Sequence, residues 1–222
     1  MAAVSGTLAL VGGGEFGSDC SFDAELLAVA QASEVLIVPT GAAYEHPERS
    51  VAQAIAHFEA LGAKARGLMV LNRHDALDEI NGQEARAARF VYLTGGSPMH
   101  VRSVLKATPF WEGLLEAWHN GAVIAGSSAG AMALCDPMVD PRGGAFTLGL
   151  GLLEQVAVIP HHDQWSHERS RRTFELAGSF PIVTVDEQTA AIRDGDGHWR
   201  AAGSGKVQVM LDGHEVGLDR LP

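Results

Sequence analysis

Ala122-Val123-Ile124-Ala125-Gly126-Ser127-Ser128-Ala129-Gly130-Ala131-Met132-Ala133-Leu134 decides the reading of this chain. An apolar, β-branched run breaks into a Gly-x-Ser-x-Gly turn and continues into strong helix formers, so a buried strand hands over directly to a helix. Small residues on both sides of Ser128 let the backbone bend sharply enough to lift its hydroxyl out of the fold. The helix that starts there brings free N–H groups and a partial positive charge, which suit the oxyanion of an acyl-transfer intermediate. The plainer reading is a helix N-cap, since a serine before a helix satisfies orphan N–H groups by itself.

The same rhythm extends outward from this stretch. Residues 7–11, 34–38, 90–93 and 122–125 are short apolar runs that read as buried strands of a parallel sheet, with a further strand near 65–70. Residues 22–32, 47–61 and 98–120 have helical spacing, the last broken at Thr108-Pro109. Strand followed by helix, repeated, predicts an α/β three-layer sandwich with a mostly parallel central sheet. After the serine helix come a Gly/Pro/Asp-rich connection over 136–151, a strand over 156–159, and a helix over about 165–177. Runs at 182–185, 190–193, 198–201 and 206–211 alternate with Asp-Gly and Gly-Ser turns and predict antiparallel strands at the sheet's C-terminal edge.

Composition narrows the classes of function. With 222 residues the chain suits one domain, residues 1–222, with a sizeable core. A net charge of −11 argues against a nucleic-acid footprint, because phosphates need a cationic face. No apolar stretch has membrane-spanning length, and the start carries no basic segment followed by a signal-type apolar run, so no membrane partner and a cytoplasmic location are expected. Cys20 and Cys135 have no metal spacing and read as buried small apolar residues in a reducing compartment.

Gly12-Gly13-Gly14-Glu15-Phe16-Gly17 matches the dinucleotide pattern directly after the first strand. Its second half is missing, since the second strand ends Ile37-Val38-Pro39-Thr40 with no acid for a ribose. These glycines are therefore read as a loop that brings backbone close to a ligand or a packed helix. A second glycine turn, Thr94-Gly95-Gly96-Ser97-Pro98, ends the strand before the serine strand. The N–H groups of Gly96 and Ala129 form a candidate two-donor oxyanion site, with Gly95 beside them.

Downstream lie carboxylates Asp136 and Asp140, then His161 and His162 at the end of a strand. This is the serine, acid, histidine order of nucleophile-elbow enzymes, in which a neutral imidazole takes the serine proton and a carboxylate fixes its tautomer. A metal site from His161, His162, Asp163 and His167 is the weaker alternative, because adjacent ligands seldom converge without a helical spacing. An acidic substrate group needs a cation, for which Arg169, Arg171, Arg172, Arg102 and Arg193 all qualify.

Taken together, these boxes resemble the S51 family of serine peptidases, the aspartyl dipeptidases called peptidase E and the cyanophycinases. Gly12-Gly13-Gly14-Glu15, Pro39-Thr40, Thr94-Gly95-Gly96, the Gly126 to Ala131 box, Pro160-His161 and Val185-Asp186-Glu187-Gln188-Thr189-Ala190 carry the resemblance. It implies a fold similar to class I glutamine amidotransferases and a Ser-His-acid mechanism without metal or cofactor. Ser128 matches the nucleophile, and Gly96 and Ala129 match the oxyanion donors. His161 matches the base through its proline, while ungapped counting from Ile159 favours His162. Asp136 best matches the peptidase E aspartate, with Asp140 close by; Glu187 matches the box found in cyanophycinases.

The expected activity is hydrolysis of a small peptide or amide at an aspartyl or β-aspartyl bond, with a homodimer left open. An α/β-hydrolase esterase and a non-catalytic binding module on the same fold are the alternatives.

Overall fold

The computed structural model describes residues 5–222. Five parallel strands, β1 (Leu8–Val11), β2 (Glu34–Val38), β3 (Lys64–Gly67), β4 (Phe90–Leu93) and β5 (Val123–Ser127), form most of the central sheet. Its order is completed by β12 (Thr189–Arg193) and β13 (Trp199–Gly203), giving β13-β12-β1-β5-β4-β2-β3, with β12 antiparallel to both of its neighbours, β1 and β13.

Alternation of side chains explains why these runs are apolar throughout. Leu8, Leu10, Leu36, Val38, Val91, Leu93 and Ile124 enter one core, and Ala9, Val11, Val35, Ile37, Phe90, Tyr92, Val123 and Ala125 enter the other. Both faces are covered, so neither set is polar. Helices α1 (Phe22–Ala30) and α2 (Pro47–Ala60) close one face through Phe22, Leu26, Ala54 and Phe58. On the other face lie α3 (Arg73–Leu77), α4 (Glu79–Ala87), α5 (Pro98–Leu105), α6 (Pro109–His119) and α7 (Ala129–Leu134). This is the expected three-layer sandwich. Each fully buried Phe or Leu in it adds roughly 1.5–3 kcal/mol of transfer free energy.

The predicted break at Thr108-Pro109 has a local cause. Thr108 Oγ1 accepts from Trp111 N–H, and Pro109 stands at the first helical position, where its missing N–H costs nothing. Helices α3 and α4 were not expected, because Glu-Ile-Asn-Gly-Gln-Glu-Ala-Arg-Ala lacks a clear apolar stripe. Helix α4 is held instead by backbone contact with α6: a Cβ on Gly113 would lie 2.2 Å from Gly82 O.

Two expectations are corrected. The strand near 65–70 is the shorter, half-exposed edge strand Lys64–Gly67. The C-terminal strands do not all join the central sheet. Strands β11 (Ile182–Val185), β14 (Val207–Leu211) and β15 (His214–Val216) join β10 (Ala157–Ile159) in a second, four-stranded sheet ordered β10-β11-β14-β15. Hydrophobic alternation sets which face a strand buries, not which neighbour it pairs with. Between α7 and β10, the connection carries four two-residue strands, β6 (Cys135–Asp136) with β9 (Leu153–Glu154) and β7 (Met138–Val139) with β8 (Phe146–Thr147).

Cys20 and Cys135 are both buried, as expected, on opposite faces of the sheet. Burial pushes the Cys20 thiol up to about 11 and raises Cys135 further, so neither is a thiolate near neutral pH.

Candidate active site

Ser128 stands at the junction of β5 and α7 with φ +49° and ψ −109°, a conformation that an L-residue occupies only under constraint. The constraint is close packing. A Cβ on Gly126 would lie 2.7 Å from Gly130 C, and one on Gly130 would lie 2.5 Å from Leu93 O. Only glycine at both places lets α7 sit this near the strand ends. The Ser128 N–H donates to Val11 O at 2.9 Å, which ties the elbow to β1. Among the described residues the hydroxyl makes no capping bond to the helix; Oγ instead lies 2.8 Å from His161 Nε2.

His161 follows Pro160 at the end of β10 and has left-handed backbone, φ +49° and ψ 37°. Its N–H donates to Gly12 O at 2.7 Å, and its ring rests on Gly13, where an added Cβ would lie 2.0 Å from His161 Cε1. The Gly12 to Gly17 loop thus serves as the seat of the imidazole, where the sequence pointed to a ligand or a packed helix. The other ring nitrogen, Nδ1, is 2.6 Å from Glu187 Oε1. With Nδ1–H donating to the carboxylate, Nε2 is free to accept from the Ser128 hydroxyl. Glu187 sits in the turn between β11 and β12, where its N–H donates to Asp163 Oδ1 at 3.1 Å and its carbonyl accepts from Thr189 Oγ1. The His161 and Glu187 side chains are about one-third exposed, at 33% and 32%, so they face an open cleft and solvent screens their attraction.

Of the three candidate acids, the one brought to His161 is Glu187; the first expectation, Asp136, is corrected. Asp136 Oδ1 accepts from Gly149 N–H at 3.2 Å, and its carbonyl accepts from Gln155 N–H, so it pins the 136–155 connection. Asp140 is held by Arg142 at 2.9 and 2.6 Å, which keeps its carboxyl down at about 2. The order along the chain is therefore Ser128, His161, Glu187 rather than serine, acid, histidine. Chain order does not dictate which turn returns to a strand end; the second sheet brings the β11–β12 turn there.

His162 points elsewhere: its Nε2 lies 3.4 Å from Ser170 Oγ, and burial lowers its pKa. With both nitrogens of His161 engaged, the grouping of His161, His162, Asp163 and His167 considered as metal ligands does not converge on that ring.

The Gly95 N–H donates to Glu15 Oε1 at 3.0 Å and is spent. Among the described residues, the N–H groups of Gly96 and Ala129 have no hydrogen-bond partner. Gly96, Ser128, His161 and Glu187 line a cleft of about 510 Å³ together with Glu45, Trp165 and Arg169. Arg169 lies flat over the Trp165 ring, 3.7 Å from its centroid, and donates to Pro141 O at 2.7 Å. Of the five arginine candidates it is the one in this cleft. Arg171 pairs with Glu175, and Arg193 donates to Ser5 Oγ and Pro222 O; Arg102 and Arg172 lie outside the lining. A larger cavity of about 1100 Å³ lies beside the cleft between α8 (His167–Ala177) and the second sheet, and Ser128 is not in it.

Glu15, in the first glycine box, has a role that its sequence position alone did not disclose. Its carboxylate takes Ser127 Oγ–H at 2.8 Å as well as Gly95 N–H. An acid closing a glycine loop after the first strand was the signal available.

No helix among the described residues is long and apolar enough to cross a membrane. A cyanophycinase from Trichormus variabilis is 27% identical over 197 residues, covering 82% of this chain and 65% of that protein. One from Synechococcus elongatus is 28% identical over 158 residues, covering 64% and 48%. The chain thus spans about two-thirds or less of these relatives' length. A peptidase structure from an acI-B1 actinobacterium superposes with a TM-score of 0.86 at 29% identity, covering 96% of this chain and 94% of the other. A putative peptidase E from Listeria monocytogenes shares the fold, with a TM-score of 0.66 at 18% identity and coverage of 93% and 98%. The model of peptidase family S51 matches residues 8–199, and the chain belongs to that family.

Proposed function

We propose that this chain is a serine-type peptidase that cleaves a small peptide at an aspartyl or β-aspartyl bond through an acyl-enzyme. The observation that carries this reading is the unbroken relay Ser128 Oγ, His161 Nε2, His161 Nδ1, Glu187 Oε1 at 2.8 and 2.6 Å. His161 takes the hydroxyl proton as Ser128 attacks the carbonyl carbon, and Glu187 holds the Nδ1 tautomer and stabilises the imidazolium. The oxyanion is met by the N–H groups of Gly96 and Ala129. His161 then returns its proton to the leaving amine, and water releases the acid from Ser128 by the reverse path.

Arg169 supports a carboxylate-bearing substrate. Stacking on Trp165 and bonding to Pro141 pre-organise its guanidinium in the cleft that Ser128 lines, and a planar fork of donors fits a carboxylate. A reducing cytoplasm, where two buried unpaired thiols persist, completes the reading.

The test is a panel of Asp-X dipeptides, β-aspartyl dipeptides and cyanophycin, assayed with wild type and Ser128→Ala, with a fluorophosphonate to label the serine. Turnover of at least one member is expected, falling by roughly 10⁶-fold in the variant, as when a nucleophile is removed. Equal hydrolysis by Ser128→Ala, or a wild type that takes no label, sinks the mechanism.

A further inference from the structure

We propose that Glu15 is a positioning residue that holds the two oxyanion donors at a set separation; this rests on the serine-peptidase reading above. The donors belong to different turns, Gly96 after β4 and Ala129 after β5. The ladder between these strands ends at the Leu93–Gly126 pair, so past that point the two turns need another tie.

Glu15 supplies it. One carboxylate oxygen, Oε1, accepts from Gly95 N–H at 3.0 Å, and the other, Oε2, accepts from Ser127 Oγ at 2.8 Å. Each contact falls on the residue immediately before a donor or its carrier: Gly95 precedes Gly96, and Ser127 precedes the elbow serine whose carbonyl side bears Ala129 N–H. Ser127 is fully buried, so in the intact fold the carboxylate and not solvent is the partner of its hydroxyl. Glu15 does not line the cleft and both of its carboxylate oxygens are taken up by the two turns, so it acts through them, as a positioning group rather than a catalytic one.

The sign of its charge sharpens the inference. An anion near a forming oxyanion opposes it electrostatically, so the contribution of Glu15 is geometric. A neutral isostere should then serve. In Glu15→Gln the amide oxygen accepts from Gly95 N–H, and the amide NH₂ donates to Ser127 Oγ.

The experiment compares wild type, Glu15→Ala, Glu15→Gln and Ser127→Ala, with Ser128→Ala as the blank. It measures the rate of Ser128 phosphonylation by a fluorophosphonate, followed by intact mass, together with kcat and KM on whichever panel peptide the wild type cleaves. A donor displaced by about 1 Å costs roughly 10²-fold, so Glu15→Ala should lose about that much in labelling rate and in kcat, with KM held within about twofold. Glu15→Gln should recover most of the loss, and Ser127→Ala, which cuts one arm of the tie, should lose about tenfold.

Wild-type labelling by Glu15→Ala overturns the proposal, as does a Glu15→Gln as slow as Glu15→Ala, or a raised KM with unchanged kcat, which would put Glu15 on the substrate. Should Glu15→Ala fail to fold, Ser127→Ala and Glu15→Gln decide: wild-type rate in the first or deep loss in the second overturns it. A wild type that takes no label removes the peptidase reading, and this proposal with it; a labelled wild type beside an unaffected Glu15→Ala removes this proposal alone.

Discussion

Gly13→Ala should unseat the imidazole while leaving every proton-exchanging group chemically unchanged. The added Cβ would fall 2.0 Å from His161 Cε1, whereas carbon atoms settle about 3.5 Å apart, so the ring must retreat by about 1.5 Å or the loop must move by as much. The loop has little freedom to move. Gly12 O accepts from His161 N–H and Gly13 O accepts from Gln188 N–H, both at 2.7 Å. A retreat of that size carries Nε2 from 2.8 Å to beyond hydrogen-bond reach of Ser128 Oγ. Misplacement on this scale is worth roughly 10²-fold in rate, or about 2.7 kcal/mol. The backbone at φ +121° adds strain of about 1–3 kcal/mol for any L-residue, so the midpoint of thermal unfolding should fall as well. Fluorophosphonate labelling and kcat/KM, each measured beside a thermal melt, read the two effects separately. A Gly13→Ala variant that labels Ser128 at the wild-type rate would refute the idea that this glycine seats the ring.

Three further outcomes are expected. Glu187→Gln should lower kcat by about 10⁴-fold through loss of the tautomer, whereas Asp136→Asn should leave kcat near wild type and act on stability; the opposite ranking in steady-state assays returns the acid role to Asp136. Arg169→Met should raise KM about tenfold or more for peptides with a carboxylate at the scissile residue and leave uncharged peptides unchanged, since a hydrogen bond to a charged group is worth about 1.5–3 kcal/mol; equal effects on both classes exclude carboxylate recognition by this residue. Asp140, lowered to about 2 in the fold by its bonds to Arg142, is ordinarily protonated near 3.8, so its contribution is present above that value and lost as pH falls toward 2. Because Arg142 is exposed and solvent screens the pair, Asp140→Asn should produce only a small drop in melting temperature at pH 7, and the difference from wild type should shrink between about pH 4 and pH 2.

Much of the central sheet was legible because its strands are buried on both faces, so their runs are continuous and β-branched. The elbow was legible for a related reason: Gly126 and Gly130 are needed wherever a helix starts against two strand ends, and that need leaves a mark in sequence. Helix α4 escaped because Gly82 and Gly113 hold it against α6 by backbone contact, which produces no apolar stripe, and α3 because it is a single short turn fixed by the Asn72–Asp75 capping box. The acid escaped because Asp136, Asp140 and Glu187 are the same kind of group. Nothing local tells a carboxylate that pins Gly149 from one that binds His161.

From its residues alone the chain determines a parallel α/β sandwich, Ser128 at a strand-to-helix elbow, the Gly95-Gly96 turn beside it and a histidine at Pro160, because short-range stereochemistry and hydrophobic periodicity act through neighbours in sequence. Tertiary structure alone decides that His161 rather than His162 reaches Ser128, that Glu187 rather than Asp136 meets His161, that Arg169 is the arginine in the cleft, and that Glu15 joins the two turns. Each of these depends on contacts between residues from about 26 to more than 110 positions apart, and such contacts are set by how two sheets and their loops pack rather than by any local preference.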